Sequence, residues 1–269
     1  MTENQSKNPL RICVLASGSK GNSIYVSDGD TAILVDAGLS GVELERRMAA
    51  RDIDPASIRA IVVSHEHTDH VSGVGVLCRR YGCTAFFTRE TWKASAKGLG
   101  KIEKCKRFIP GQEFQIGDMA IHPFSISHDA ANPVGFTITG NGAKMGIATD
   151  LGIATAMVQR HLSDCDTLLM EANHDVRMLL DGPYPWHLKQ RIKGRSGHLS
   201  NEASRELLKE ILHDRLSHVI LGHLSETNNQ PEIALETVAP ALDGHRAKLC
   251  AAHQSICGDL IEIFGHSKQ

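Results

Sequence analysis

An apolar run at residues 60–63 leads, one serine later, into His65-Glu66-His67-Thr68-Asp69-His70, three imidazoles and two carboxylates in six positions. A chain that needed only a loop here would not concentrate ionisable donors at the end of a buried strand, where charges are costly unless paired or bound to metal. In extended backbone, residues i and i+2 point the same way, so His65 and His67 can grip one ion. Asp69 and His70 open the next periodic segment, where a tight turn can aim both at a second ion. Two neighbouring cations would make a hydrolytic centre. Whatever fold forms must therefore present a rigid strand end to solvent.

The rest of the pattern supplies such a frame. Short apolar runs alternate with helical periodicity throughout, with no repeat and no linker rich in Pro, Gly or Ser. Strands are expected at 11–16, 23–27, 31–36 and 60–63, and helices at 41–51, capped by Ser40 with Glu43, and at 69–80, ended by Gly82. Segments 84–87, 106–109, 113–126 and 134–149 read as an antiparallel meander with turns at Pro110-Gly111 and Asn141-Gly142. The last third alternates again: helices at 153–161, 186–193, 200–212 and 231–241, and strands at 166–171, 217–221, 246–251 and 258–263. Sheets with helices outside them follow, in one domain over 9–266 behind a frayed polar terminus, 1–8.

The chain has 269 residues, and its formal charge of −2 argues against wholesale electrostatic capture of nucleic acid, so any such binding must come from local patches. No signal sequence and no run of ~18 apolar residues is present, which predicts a cytoplasmic protein without a membrane partner. Seven scattered cysteines without a CxxC pair read as reduced thiols. Nothing in the sequence specifies an oligomeric state.

Two ions need more donors than the hexapeptide holds, and three candidates close later strands: His128, Asp150 and His223. The succession HxHxDH, then a lone His, a lone Asp and a lone His, resembles the metallo-β-lactamase superfamily, whose fold is a four-layered αββα sandwich, two mixed sheets with helices outside. The resemblance implies that His65, His67 and His128 hold one ion, that Asp69, His70 and His223 hold the other, and that Asp150 bridges them. It also implies that Asp36, in Leu34-Val35-Asp36-Ala37-Gly38, orients the motif without binding metal. Cations about 3.5–4 Å apart would provide a nucleophile near neutral pH. The donors suit Zn²⁺, Mn²⁺ or Fe²⁺ alike.

Within that superfamily, class B β-lactamases commonly carry cysteine where Asp150 falls and are secreted. Glyoxalase II appends a helical domain after the last histidine, and β-CASP nucleases insert a large cap between Asp150 and His223. With aspartate at 150, 46 residues after His223 and 73 positions from Asp150 to His223, none of these features is expected here. Gly197-His198-Leu199-Ser200 instead sets an imidazole at a helix entrance, where it can donate to a phosphate oxygen or protonate a leaving alkoxide, as the equivalent histidine does in ribonuclease Z. Ser17 to Ser23, Glu171-Ala172-Asn173-His174-Asp175, Tyr184-Pro185, Gly197 to Asn201, His223-Leu224-Ser225 and Asn228-Asn229 are similar to the YycJ/WalJ family of small, cap-less members. That resemblance implies a 5′ to 3′ exonuclease acting on double-stranded DNA, with Asp69, Asp150 and His198 nearest the chemistry.

Lys189, Arg191 and Arg195 lead to His198, and Lys93, Lys97, Lys101, Lys104, Lys106 and Arg107 form a second basic region; both could neutralise backbone phosphates. Ser19, Asn22, Asn173, His174, Ser200 and Asn229 are further candidate substrate contacts, although turn and cap chemistry explains such residues as well. With aromatics at 4%, backbone recognition is favoured over a stacking track. The alternatives are a small-molecule or RNA-end phosphodiesterase similar to ribonuclease Z and, in another class, a catalytically silent nucleic-acid-binding module.

Overall fold

A computed structural model describes residues 8–265. The expected frayed terminus lies, up to residue 7, outside the described residues, as does 266. The first sheet takes β1 (Leu10–Ala16), β2 (Ser23–Ser27), β3 (Ala32–Val35), β4 (Ile58–Val62), β5 (Thr84–Phe87) and β6 (Cys105–Arg107). The second takes β7 (Phe114–Ile116), β8 (Met119–Ser125), β9 (Val134–Gly140), β10 (Ala143–Ala148), β11 (Thr167–Glu171), β12 (His218–Gly222) and β13 (Lys248–Ala251). The last described strand, β14 (Ile261–Ile263), returns to pair antiparallel with β1, so each sheet has seven strands among the described residues.

Both sheets follow one plan, an antiparallel meander running into parallel strands. β1, β2 and β3 are antiparallel and β3 to β6 parallel; β7 to β10 are antiparallel and β10 to β13 parallel. The meander therefore does not include 84–87 or 105–107, which are parallel strands of the first sheet. The expected strand at 113–126 is a hairpin, folded at Gly117, whose φ of +61° suits glycine. Asn141 and Gly142, both with positive φ, make the expected tight turn between β9 and β10.

The helices are α1 (Gly41–Ala49), α2 (Thr68–Val71), α3 (Val74–Tyr81), α4 (Arg89–Leu99), α5 (Ala156–Leu162), α6 (Val176–Asp181), α7 (Trp186–Lys193), α8 (Asn201–Ile211) and α9 (Pro231–Val238). The single helix expected at 69–80 is broken at Ser72-Gly73, because Gly73 N donates to Ala37 O (2.7 Å) and a Cβ there would sit 2.5 Å from Leu39 O. Helix α4, unanticipated, starts on a Thr88 cap.

Side-chain alternation builds the layers. Leu10, Ile12 and Val14 of β1, Ile33 and Val35 of β3, and Met145 and Ile147 of β10 face the core between the sheets, with Phe136 at its centre. Cys13, Leu15, Leu34 and Ile61 face the other way, onto α1, α3 and α4. Val219 and Leu221 do the same under α5, α8 and α9. The four-layered αββα arrangement is thus what a period of two gives when both faces of both sheets are apolar. We expect Phe136→Ala, at a fully buried ring beside Phe108, to cost about 3–5 kcal/mol; urea unfolding measures it.

Candidate metal centre

The parallel strands β3, β4, β10, β11 and β12 deliver their carboxyl ends to one edge of the sandwich. β8 points the same way, since β8 and β10 both run antiparallel to β9. Asp36, His65, Asp150, Glu171, His223 and His128 occupy or follow those ends, where α/β sheets present functional groups. Three of them take left-handed backbone: Asp36 (φ 60°), Asp150 (φ 57°) and His223 (φ 55°). Non-glycine residues pay for that conformation, and such strain concentrates at sites where surrounding structure fixes it.

Among the described residues four overlapping clusters of donor atoms result, and two of them match the expected division. In the first, His65 Nε2 lies 3.1 Å from His67 Nδ1, which lies 3.4 Å from His128 Nε2. Tetrahedral zinc with bonds of about 2.0–2.1 Å would set neighbouring nitrogens about 3.3 Å apart. In the second, His70 Nε2 is 3.4 Å and His223 Nε2 3.9 Å from Asp69 Oδ2. The carboxylate of Asp150 lies between the groups, Oδ2 3.3 Å from His70 Nε2 and Oδ1 3.7 Å from His128 Nε2.

The opposite nitrogen of each of four imidazoles is fixed. His70 Nδ1 donates to Asp36 Oδ2 (2.8 Å), and Asp36 also accepts from Ser64 N and Oγ (2.8 and 2.7 Å). Ser64 Oγ is 3.0 Å from His65 Nδ1, and Gly197 O 3.3 Å from His128 Nδ1. His223 Nδ1 donates to Glu171 Oε1 (2.8 Å). These contacts assign the tautomers that turn Nε2 of His65, His70, His128 and His223 toward the donor groups, an arrangement usual for metal-binding histidines.

The residues fit divalent cations by a further test. Asp150 Oδ2 and His223 Nε2 are buried yet make no hydrogen bond of acceptable geometry, a costly state for polar atoms. The field matches too. Burial lowers His65 and His128, leaving neutral nitrogen lone pairs. Burial opposes charge on His223 and His70, but Asp150 with Asp69 and Glu171 raises His223 to about 10, and Asp36 with Asp150 raises His70 well above the ordinary imidazole range. Ionised carboxylates that make His70 and His223 hold their protons in this way would also favour cations.

Glu171 went unassigned in the sequence and is the most connected group at the site. Fully buried at the end of β11, it accepts from His198 and His223 Nδ1 on Oε1 (both 2.8 Å), and from Leu151 N (2.6 Å) and Leu199 N (3.2 Å) on Oε2. Burial would push its carboxyl up, but His198 and His223 hold it at about 2. The signal was available, since Thr167-Leu168-Leu169-Met170-Glu171 ends an apolar run in a carboxylate, as residues 32–36 do.

A family model described as a beta-lactamase superfamily domain matches residues 31–223, from β3 to His223. The chain belongs to the beta-lactamase superfamily. Exodeoxyribonuclease YycJ of Bacillus anthracis is 36% identical over 236 residues, 87% of this chain and 89% of its own length. Exodeoxyribonuclease WalJ of Streptococcus pneumoniae serotype 2 is 40% identical over 237 residues, 87% of this chain and 88% of its own length. Among solved structures, the metallo-beta-lactamase fold protein YhfI from Bacillus subtilis superimposes with a TM-score of 0.71 at 18% identity, covering 95% of this chain and 100% of that one.

In this superfamily member the donor groups open into a cleft of about 330 Å³. Ser19, Asn173, Arg191 and His198 line it with the donors, Arg191 paired to Asp129 (3.1 Å) and Asn173 Nδ2 bonded to His223 O (2.8 Å). Other expected substrate contacts are used inside the protein. Asn22, 2% exposed, ties Gly18 to Asp69 and His70; Asn229 Nδ2 donates to Ala172 O; and Lys189 Nζ donates to Leu180 O and Gly182 O. His174 is buried behind the cleft, and burial takes its imidazole down to about 4. Ser200 caps α8, and Arg195 is exposed away from the cleft lining. All seven cysteines are free, and among the described residues no helix is long and apolar enough to cross a membrane.

Proposed function

We propose that this protein is a metal-dependent 5′ to 3′ exonuclease acting on double-stranded DNA in the cytoplasm. The observation that carries the hydrolytic part is Asp150, a buried carboxylate set between two groups of three donors. His65, His67 and His128 would hold one divalent cation, Asp69, His70 and His223 another, and Asp150 both; Zn²⁺, Mn²⁺ and Fe²⁺ all suit nitrogen and carboxylate donors. Bound there, the cations would lower the pKa of a water and offset charge developing on phosphoryl oxygens. The DNA part is supported by similarity to two exodeoxyribonucleases over 87% of the chain.

The chain's own residues complete the reaction. His198, its Nδ1 held by Glu171, keeps Nε2 free on the cleft side to pass a proton to the departing oxygen. Glu171 stays ionised and stabilises the imidazolium before transfer. Gly197 sets the approach, since a Cβ there would lie 2.1 Å from Ile192 O.

Helix α4 begins against the loop that follows His128, where Glu90 accepts from Asn132 Nδ2 (3.2 Å). Arg89, Lys93 and Lys97 then recur every fourth residue on its exposed face, a stripe suited to duplex phosphates. The remainder of the basic region is partly occupied: Lys104 bonds Gly82 O, and Arg107 lies over Trp92. We expect Lys93→Glu with Lys97→Glu to raise KM for long duplex, leave kcat unchanged and reduce the salt slope by about 2.

The deciding experiment offers 5′-labelled double-stranded DNA, single-stranded DNA and RNA to the protein with Mn²⁺ and Zn²⁺ in parallel, and with chelator. Stepwise loss from the 5′ end of duplex DNA is expected. Linear and nicked DNA left intact by metal-loaded protein would refute the assignment, and equal turnover of RNA would move it to RNA ends.

A further inference from the structure

The cleft has two unlike walls. One carries the donor atoms with Asp150 and His223; the other is α7 and the turn before it, with Tyr184, Leu188 and Ile192 facing the same space beside Arg191, whose charge is paired to Asp129 (3.1 Å). Leu188 and Ile192 are four residues apart, on one face of the helix. An apolar shelf opposite a charged centre suits an amphipathic ligand, a phosphate carrying a flat base. The volume is at the lower end for small-ligand sites, on the scale of one nucleotide.

The shelf is held rigidly. Lys189, 9% exposed, spans the α6–α7 turn through two carbonyls, those of Leu180 (2.6 Å) and Gly182 (2.7 Å). His198 N donates to Ile192 O (2.9 Å), which ties the shelf to the segment that carries the proton donor. A ligand resting on the shelf therefore lies on the His198 side of the cleft.

We propose that Tyr184, Leu188 and Ile192 form a subsite for the base and sugar of the departing 5′-terminal nucleotide, an inference that rests on the exonuclease reading above. In the step it serves, oxygen from water bonds to phosphorus, the P–O3′ bond breaks, and the proton on His198 passes to O3′. The terminal nucleotide leaves with a 3′-hydroxyl and the shortened strand keeps a 5′-phosphate. Tyr184 stacks on the base and reads no edge, so one aromatic serves all four bases.

The test compares duplexes ending in a normal or an abasic 5′ nucleotide, together with calorimetric binding of thymidine monophosphate and of deoxyribose 5-phosphate to metal-loaded protein. Wild type is expected to bind and use the base-bearing forms about 10-fold better, through KM. Tyr184→Ala removes that preference by losing far more on the base-bearing duplex than on the abasic one, while Tyr184→Phe retains it. Equal losses by Tyr184→Ala on both duplexes, or a wild type indifferent to the base, would overturn the subsite. Base-dependent binding of the monophosphate without DNA cleavage would retain the subsite and refute only the exonuclease reading.

Discussion

Asp150→Ala is expected to lower DNA hydrolysis by on the order of 10³-fold and to leave the purified protein with less than its full complement of metal. The carboxylate is 2% exposed, and its oxygens lie 3.3 Å from His70 and 3.7 Å from His128, one in each donor group. His223 and His70 hold it ionised against the effect of burial, far below the ordinary carboxylate range. Removing that charge leaves two buried imidazoles without the anion that faces both, which is the expensive half of a broken buried pair. Asp150→Asn keeps the shape without the charge and should show the same loss of metal. Elemental analysis and turnover on 5′-labelled duplex measure the two effects, and unchanged turnover in Asp150→Ala would exclude a shared carboxylate.

Glu171→Gln is expected to cost about 10²-fold in kcat and to weaken metal binding as well. An amide cannot accept on both ends, whereas Glu171 accepts four hydrogens, two from imidazoles and two from backbone. An amide nitrogen opposite His198 and His223 would force each ring to present a bare Nδ1, which puts a proton on the His223 nitrogen needed as a lone pair and removes the negative charge that stabilises the His198 imidazolium. His198→Ala separates the effects: it should lose kcat with metal content intact, because only His223 belongs to the donor groups. If Glu171→Gln binds metal and turns over like the parent protein, the carboxylate does not set these tautomers.

Much of the architecture was legible because both faces of most strands are apolar and turns such as Asn141-Gly142 carry their own conformational demand. What failed to show was partner choice. Segments 84–87 and 105–107 read as strands but could not announce that they pair parallel to β4, across a crossover helix, instead of joining the meander. Helix α4 was obscured by its lysines, which suggested a basic surface before a periodic face. Asn22 and Asn229 read as loop residues with spare polarity, and Lys189 as a helical cation free for phosphate. Burial turned each inward to satisfy backbone groups that no local rule identifies.

The sequence by itself determined that donors stand at the ends of apolar runs, in HxHxDH and at His128, Asp150 and His223, because burial cost makes such placement meaningful even in one dimension. Only the tertiary structure decided that these ends meet. Two sheets packed face to face bring positions 36 and 223 to one edge, three left-handed residues turn their side chains over it, and Glu171 joins His198 to His223. Distance in the chain carries no trace of those contacts, since they are made by the packing of whole layers and not by any local preference.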